Sequence, residues 1–406
     1  MEKISVTDFG PIRHAEVEIK PFCILIGHTS SGKSTIAKLL DLFNSHQFYT
    51  IRPGNDLSLF VSLLKKYDID FDFKEQTCIV YQKNAYKWTI SRDGVQTNYP
   101  LTEMINELYS ASSTAGNTYA TPAEVINNML KILNESSHAI DEKIEEFDPS
   151  KGSSQFLKSY LRILQAYLDT SSSFIYIPAE RILMFVLSRA IFSFYSKDIN
   201  LPDCLKTFGN IYSIAKEDQN KYKINFLDLE VHFDDKTGDK IQLKNGETIS
   251  CNQASTGLQS IIPLLSVFDF DLKEDSCRII EEPELNLYTE VQKDLTEYLI
   301  KRTKEKKAKL FITTHSPYIL STIQNLLQAG NIAAESPEKA EQVAKLVSPD
   351  KWIDYNDLTC QFFSNDGTSH NILDDEYHTI GINQMDDVSA ELSEIYDSLL
   401  DIKYNE

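Results

Sequence analysis

Gly27-His28-Thr29-Ser30-Ser31-Gly32-Lys33-Ser34, followed by Thr35, brings two glycines, a lysine and several hydroxyls into one short run. The run fits G-x-x-x-x-G-K-[ST], in which the glycines permit a loop tight enough for backbone N–H groups to wrap phosphate oxygens. It sits between an apolar strand-like segment, Phe22 to Ile26, and an apolar-periodic helix-like segment, Ser34 to Phe43. A helix N-terminus therefore adds partial positive charge to the loop. In that setting Lys33 is expected to reach the β- and γ-phosphates of ATP, and the Ser34 hydroxyl to ligate Mg²⁺. Residues Gly27 through Thr35 are the expected ATP contacts.

Three further segments carry chemistry. Cys277-Arg278-Ile279-Ile280-Glu281-Glu282-Pro283-Glu284 sets carboxylates at the end of an apolar strand. One of them can hold a Mg²⁺ shell and a second can orient or deprotonate an attacking water. Glu281 is assigned to the metal, Glu282 to general-base work, and Glu284 to capping the next helix, where negative charge meets the positive helix end. Phe311-Ile312-Thr313-Thr314-His315-Ser316-Pro317 is another strand end, and its imidazole can hydrogen-bond a γ-phosphate. A lone histidine at a strand terminus is more often structural; the chain order of loop, acidic strand and histidine strand reverses that preference. Gln253-Ala254-Ser255-Thr256-Gly257-Leu258-Gln259 opens a helix. Ser255 and Gly257 there offer exposed N–H groups, a hydroxyl and no Cβ to obstruct an anion, although composition alone suits an ordinary serine N-cap.

Taken together, these segments resemble the ABC-type ATPases. Ser255-Thr256-Gly257-Leu258-Gln259 is similar to their signature motif, Glu281 to Glu284 to their Walker B and D-loop run, and Thr314-His315-Ser316-Pro317 to their switch histidine. The order resembles the RecF/SMC-like branch, and within it the small OLD-like AAA ATPases of bacterial anti-phage systems. In that group runs like Ile177-Pro178-Ala179-Glu180-Arg181, Glu281 to Glu284 and Thr313 to Pro317 recur. The resemblance covers the opening segment and Phe174 to Leu320. It implies a head-to-tail homodimer with two ATPs sandwiched, the P-loop of one subunit facing Ser255, Thr256, Gly257 and Gln259 of the other. Two departures stand out. Glu281 occupies the usual aspartate position, one methylene longer, and no clear Q-loop glutamine follows the P-loop, Gln47 and Gln76 being the two candidates. Arg181 is read two ways, as a phosphate contact or as a lock on the strand end through an acid. Phe9, ahead of the P-loop, is read either as an adenine neighbour or as core.

The elements that must position these residues form an α/β pattern, a P-loop NTPase of ABC type with a mixed central sheet. Residues 1–100 are expected to supply the first half of the head, including an antiparallel β subdomain marked by Cys78 to Tyr81, Lys87 to Ile90 and the Asp93-Gly94 turn. Residues 101–173 read as a helical insertion broken by Ser/Thr/Gly-rich loops, without the sustained heptads of coiled-coil arms. Residues 174–330 hold the second half of the head: a buried strand Phe174 to Ile177, a helical stretch Ile182 to Phe194, a strand pair within Ile224 to Ile249, and the α/β alternation that ends in a helix from Pro317 to Ala329. Residues 331–406 read as an irregular acidic extension ending in a helix near Asp387 to Ile402.

Composition narrows the functions. The net charge of −20 opposes nonspecific nucleic-acid binding, which needs a positive surface. Lys301 to Lys309 is the candidate basic patch, read first as a solubilising helix end and only second as a DNA contact. No apolar run is long enough to span a bilayer and no signal core is evident, so a soluble cytoplasmic protein is expected. Six scattered cysteines fit free thiols in a reducing compartment. Ile319 to Glu406 shows no glutamate plus Asp-x-Asp set and no H-N-H or metal-ligand cluster. A nuclease or toxin effector is therefore expected on a separate chain. The competing expectations are a RecF-like repair ATPase and a low-turnover ATP-gated scaffold that restrains a toxin; a phosphate-release assay separates the scaffold from an enzyme.

Overall fold

A computed structural model describes residues 1–99 apart from 46, 49, 50, 52 and 56, together with 173–185, 201–234, 238–381 and 393–399. All but the last residue of the helical insertion expected at 101–173, most of the stretch Ile182 to Phe194, and most of the terminal helix near Asp387 to Ile402 lie outside the described residues.

The centre is a six-stranded sheet. Its strands are β3 (Phe22–Gly27), β7 (Phe174–Ile177), β12 (Cys277–Glu281), β13 (Lys309–Thr314), β14 (Leu358–Phe363) and β15 (Ser369–Asn371), in the order β15-β14-β3-β13-β12-β7. All pair in parallel except β14 with β15. Parallel strands covered on both faces read as continuous apolar runs, and β3, Phe-Cys-Ile-Leu-Ile-Gly, is buried at every position.

One face carries Cys23, Leu25, Tyr176, Ile279 and Phe311. It packs on helix α1 (Lys33–Phe43) and on a five-stranded antiparallel sheet. That sheet runs β2-β1-β4-β5-β6, from β1 (Glu2–Phe9), β2 (Ile12–Glu18), β4 (Cys78–Lys83), β5 (Tyr86–Ser91) and β6 (Gly94–Thr97), and it is the expected antiparallel subdomain. Helix α2 (Ser58–Lys66) adds Phe60, Leu63 and Leu64 to this layer. Phe9 is core: it is fully buried, with Phe71 and Phe73 at ring distances of 5.4 and 5.5 Å.

The opposite face, with Ile24, Ile26, Ile177, Ile280 and Ile312, packs on residues from α3 (Asp203–Gln219), α4 (Thr256–Asp269), α5 (Thr289–Lys306) and α6 (Pro317–Glu335). The strand pair expected within Ile224 to Ile249 is part of a four-stranded antiparallel sheet of β8 (Lys221–Ile224), β9 (Leu229–His232), β10 (Lys240–Gln242) and β11 (Thr248–Ser250).

The segment after Ala329 departs from the expected irregular tail. After α7 (Pro337–Ala344) it returns to the centre and inserts β14 beside the P-loop strand, Phe362 opposite Ile26 and Phe363 opposite Gly27. The run Leu-Thr-Cys-Gln-Phe-Phe is apolar enough to be buried on both faces, as an interior parallel strand must be.

Candidate active site

The parallel strands β3, β12 and β13 end side by side, and the loops that leave them meet. Gly27 turns out of β3 at φ 144°, where an added Cβ would lie 2.1 Å from the Phe363 carbonyl oxygen. A larger residue would push β14 off β3. The His28 N–H donates to that same Phe363 oxygen at 3.1 Å, so β14 fixes the start of the P-loop. Gly32 (φ 104°) lies against Ile12, and a Cβ there would come within 2.4 Å of the Ile12 side chain. Thr29, Ser30 and Ser34 are exposed along the loop, while Ser31, Gly32, Lys33 and Thr35 are buried.

Lys33 Nζ donates to the carbonyls of Gly27 at 2.9 Å and His28 at 2.6 Å. It also stands 3.5 Å from His315 Nδ1. The lysine is thus folded over its own loop, ready to exchange two carbonyls for phosphate oxygens. Burial pulls its ammonium down to about 8, against the Glu282, Glu284 and Glu281 carboxylates that hold it up. Phosphates favour the charged form. ATP binding is therefore expected to take up a proton above about pH 8, and affinity to fall as pH rises through that value. Calorimetry in buffers of differing ionisation enthalpy measures the uptake; an affinity that stays flat from neutral pH to well above 8 would count against Lys33 as the phosphate cation.

β12 ends in Glu281, buried on the α1 face beneath Ser34. Burial raises its pKa, while the Tyr176 and Ser34 hydroxyls and Lys38 favour the carboxylate. Its Oε1 is buried without a hydrogen-bond partner. A hard divalent cation takes oxygen ligands, and an unpartnered buried carboxylate oxygen below an exposed serine hydroxyl fits Mg²⁺. Among the described residues no cluster of three or more His, Cys, Asp or Glu offers a competing metal site. Bound there with nucleotide, the ion would neutralise charge on the phosphates.

The next residue, Glu282, adopts φ 43°, a left-handed conformation uncommon for a side chain with a Cβ. The strain is held by three contacts. Its N–H donates to the Thr313 carbonyl at 2.8 Å, and its own carbonyl accepts from Arg181 at 2.8 Å and from the Leu285 N–H at 3.1 Å. The turned carboxylate meets His315, with Nε2 to Oε1 at 2.9 Å. That hydrogen bond is the main reason the Glu282 carboxyl sits below its ordinary range, so it is a carboxylate at neutral pH. His315 Nδ1 lies 2.9 Å from the Gly27 carbonyl. One imidazole therefore spans the P-loop and the acidic turn.

Glu284 does not cap a helix. Helix α5 starts only at Thr289, and the Glu284 carboxylate instead accepts from the Thr314 hydroxyl and the His315 N–H, both at 2.7 Å. It fixes the histidine strand end, a role that no local sequence signal announced. Arg181 is fully buried. Its guanidinium donates to the carbonyls of Ser260, Pro178, Glu281, Glu282 and Pro283, so it locks the strand end through backbone rather than through an acid.

The turn Ser255-Thr256-Gly257 begins α4. Ser255 and Thr256 are exposed, and the Ser255 Oγ accepts from the Leu258 N–H at 3.5 Å. Gly257 packs against the segment after the acidic turn, where a Cβ would lie 2.8 Å from the Asn286 carbonyl oxygen. Gln259 turns inward, its amide donating to the Cys251 and Asn252 carbonyls. Of the two Q-loop candidates, Gln47 bonds Lys66 and Gln76 lies exposed before β4.

A family description, that of the AAA ATPase domain, matches residues 1–320. The chain belongs to the AAA ATPase domain family. The match takes in the P-loop, the acidic strand and the histidine strand of this AAA ATPase, whose reaction is ATP hydrolysis. No curated protein matches it. Solved structures similar to this AAA ATPase include the SMC head domain from Thermotoga maritima, at 10% identity and TM-score 0.35, covering 79% of this chain and 90% of that one. A second is the SMC head bound to the C-terminal winged-helix domain of ScpA, at 11% identity and TM-score 0.35, with the same coverage. A third is the SMC head with an extended coiled coil bound to the C-terminal domain of ScpA derived from Pyrococcus furiosus, at 10% identity and TM-score 0.35, covering 98% and 100%.

Proposed function

We propose that this AAA ATPase is an ATP-driven switch that closes as a head-to-tail homodimer around two ATPs and controls a separate effector, a nuclease or toxin, in a bacterial anti-phage complex. The observation that carries the switch is the linkage of Lys33, Glu282 and His315 in one set of contacts at adjoining strand ends. In this reading Lys33 binds the β- and γ-phosphates, Ser34 and Glu281 hold Mg²⁺, Glu282 takes the proton of the attacking water, and His315 hydrogen-bonds the γ-phosphate. The turn of Ser255, Thr256 and Gly257, its first two residues exposed, serves the partner's ATP, so the γ-phosphate bridges the two copies and its hydrolysis removes the bridge. Gln259, tied to its own turn, shapes that surface from within.

The defence role is supported by the Ile177 to Arg181, Glu281 to Glu284 and Thr313 to Pro317 runs. A cytoplasmic setting is supported by six free cysteines; no helix among the described residues is long and apolar enough to cross a membrane. The basic run gives little support to nucleic-acid binding. Lys301 pairs with Asp350, Arg302 with Asp269 and Glu305, Lys307 with Glu274 and Lys309 with Glu2, while Lys304 donates to the Trp352 carbonyl.

Light scattering on ATP-loaded Glu282→Gln protein tests the sandwich: a dimer is expected, and Ser255→Arg should return it to a monomer that still binds ATP. ATP-bound Glu282→Gln that stays monomeric would sink the sandwich. Plating phage on cells that express the chain with its neighbouring reading frame tests the defence role. Protection should vanish with Lys33→Ala, and plaque counts that never differ from empty cells would remove that role while leaving the ATPase. The scaffold reading is favoured by Glu281 at the metal position and by the closed Glu282–His315 pair; it takes over if the unmodified protein binds ATP without releasing phosphate.

A further inference from the structure

Three buried side-chain oxygens near the acidic strand end have no hydrogen-bond partner: the Tyr176 hydroxyl, Glu281 Oε1 and Thr313 Oγ1. They share one face of the sheet. Glu281 stands opposite Thr313 on β13, and Ile279, two residues back and on the same face, stands opposite Tyr176 on β7. That face lies under α1, whose first turn presents Ser34. Tyr176, Glu281 and Thr313 are 4%, 3% and 1% exposed, so bulk water does not satisfy them.

Buried polar groups are normally hydrogen-bonded, and an orphan calls for a reason. Packing gives none here. The neighbours of Thr313 on its own face are Phe311 and Leu25, beside which a valine would sit as well as a threonine. The Tyr176 ring belongs to the same apolar cluster, where phenylalanine would fill the same space. What the two hydroxyls share is the unsatisfied carboxylate between them. We propose that Tyr176 and Thr313 are positioning residues for the metal, their hydroxyls hydrogen-bonding the hydrated Mg²⁺ and the Glu281 carboxylate that holds it. The longer acidic side chain in the usual aspartate position is thereby steadied from both sides. This inference rests on the reading that Ser34 and Glu281 hold Mg²⁺.

The test uses Tyr176→Phe, Thr313→Val and Thr313→Ser in the full chain. Without ligand, Thr313→Val removes an unsatisfied buried hydroxyl, so its thermal midpoint should stay level or rise. With ATP, the Mg²⁺ concentration that half-saturates nucleotide binding should rise about tenfold or more for Tyr176→Phe and for Thr313→Val, as when outer-shell partners of a metal are removed. Binding of Mg²⁺-free ATP should be unchanged, and Thr313→Ser should restore the ordinary Mg²⁺ requirement. The paramagnetic spectrum of Mn²⁺ bound with ATP should broaden in both hydroxyl-less variants and recover in Thr313→Ser. An unaltered Mg²⁺ requirement with a lowered ligand-free midpoint overturns the proposal and makes the hydroxyls part of the packing. Glu281→Ala keeps the two levels apart. If it leaves the Mg²⁺ requirement unchanged, the metal reading fails and the inference with it; if it raises the requirement while Tyr176→Phe and Thr313→Val do not, the inference alone fails.

Discussion

Glu282→Gln is expected to cut phosphate release by about 10²–10⁴-fold, the usual worth of a positioned general base, while ATP binding survives. The residue has the geometry for the role. Its backbone is held in a left-handed turn, its carboxylate points toward the histidine strand, and the His315 hydrogen bond keeps it ionised. Glutamine keeps the shape and can still bond His315, but it cannot take a proton. The matching measurements are steady-state phosphate release and equilibrium ATP binding on the same preparation. Turnover within threefold of the unmodified protein would move the base elsewhere; loss of both binding and turnover would mean the turn itself had collapsed.

Arg181→Met is expected to destabilise the fold by about 3–5 kcal/mol. Several buried carbonyls lose a donor at once; the Glu282 carbonyl keeps the Leu285 N–H, and each acceptor left wholly unpaired costs roughly 1–3 kcal/mol. Burial lowers the guanidinium only to about 10, so it stays charged at neutral pH and each bond is charge-assisted. Two of those bonds go to the Glu281 and Glu282 carbonyls. Any variant that does fold should therefore let the strained turn relax and lose turnover with it. Urea unfolding gives the stability change. A shift under 1 kcal/mol together with weakened ATP affinity would restore the phosphate-contact reading that the structure argues against.

Much of this site was legible because its chemistry is written in contiguous runs. The P-loop, the acidic strand and the histidine strand each carry their candidate residues within a few positions of an apolar strand, and parallel strands leave their loops at the same end of the sheet. What stayed hidden depends on contacts between distant segments. Glu284 looked like a cap because an acid preceded a helical pattern, yet α5 begins at Thr289 and the carboxylate is drawn to the Thr314 hydroxyl and the His315 N–H instead. Arg181 follows an apolar strand, but only the fold brings five carbonyls to it. The hydroxyls of Tyr176 and Thr313 became visible only when strand register set them on the face of Glu281. β14 did leave a trace, a six-residue and mainly apolar run, which the acidic residues around it obscured.

The position of β14 also bears on how the molecule comes to life. The strand that leads into the P-loop is made long before its two sheet neighbours, β13 and β14, which are among the last of the described strands to be made. Contacts of such long sequence separation form slowly, because loop closure must precede them. On the ribosome the nascent chain would expose Phe22 to Ile26 without either sheet neighbour until β13 has emerged, and with one edge open until β14 follows, the kind of segment that chaperones shield.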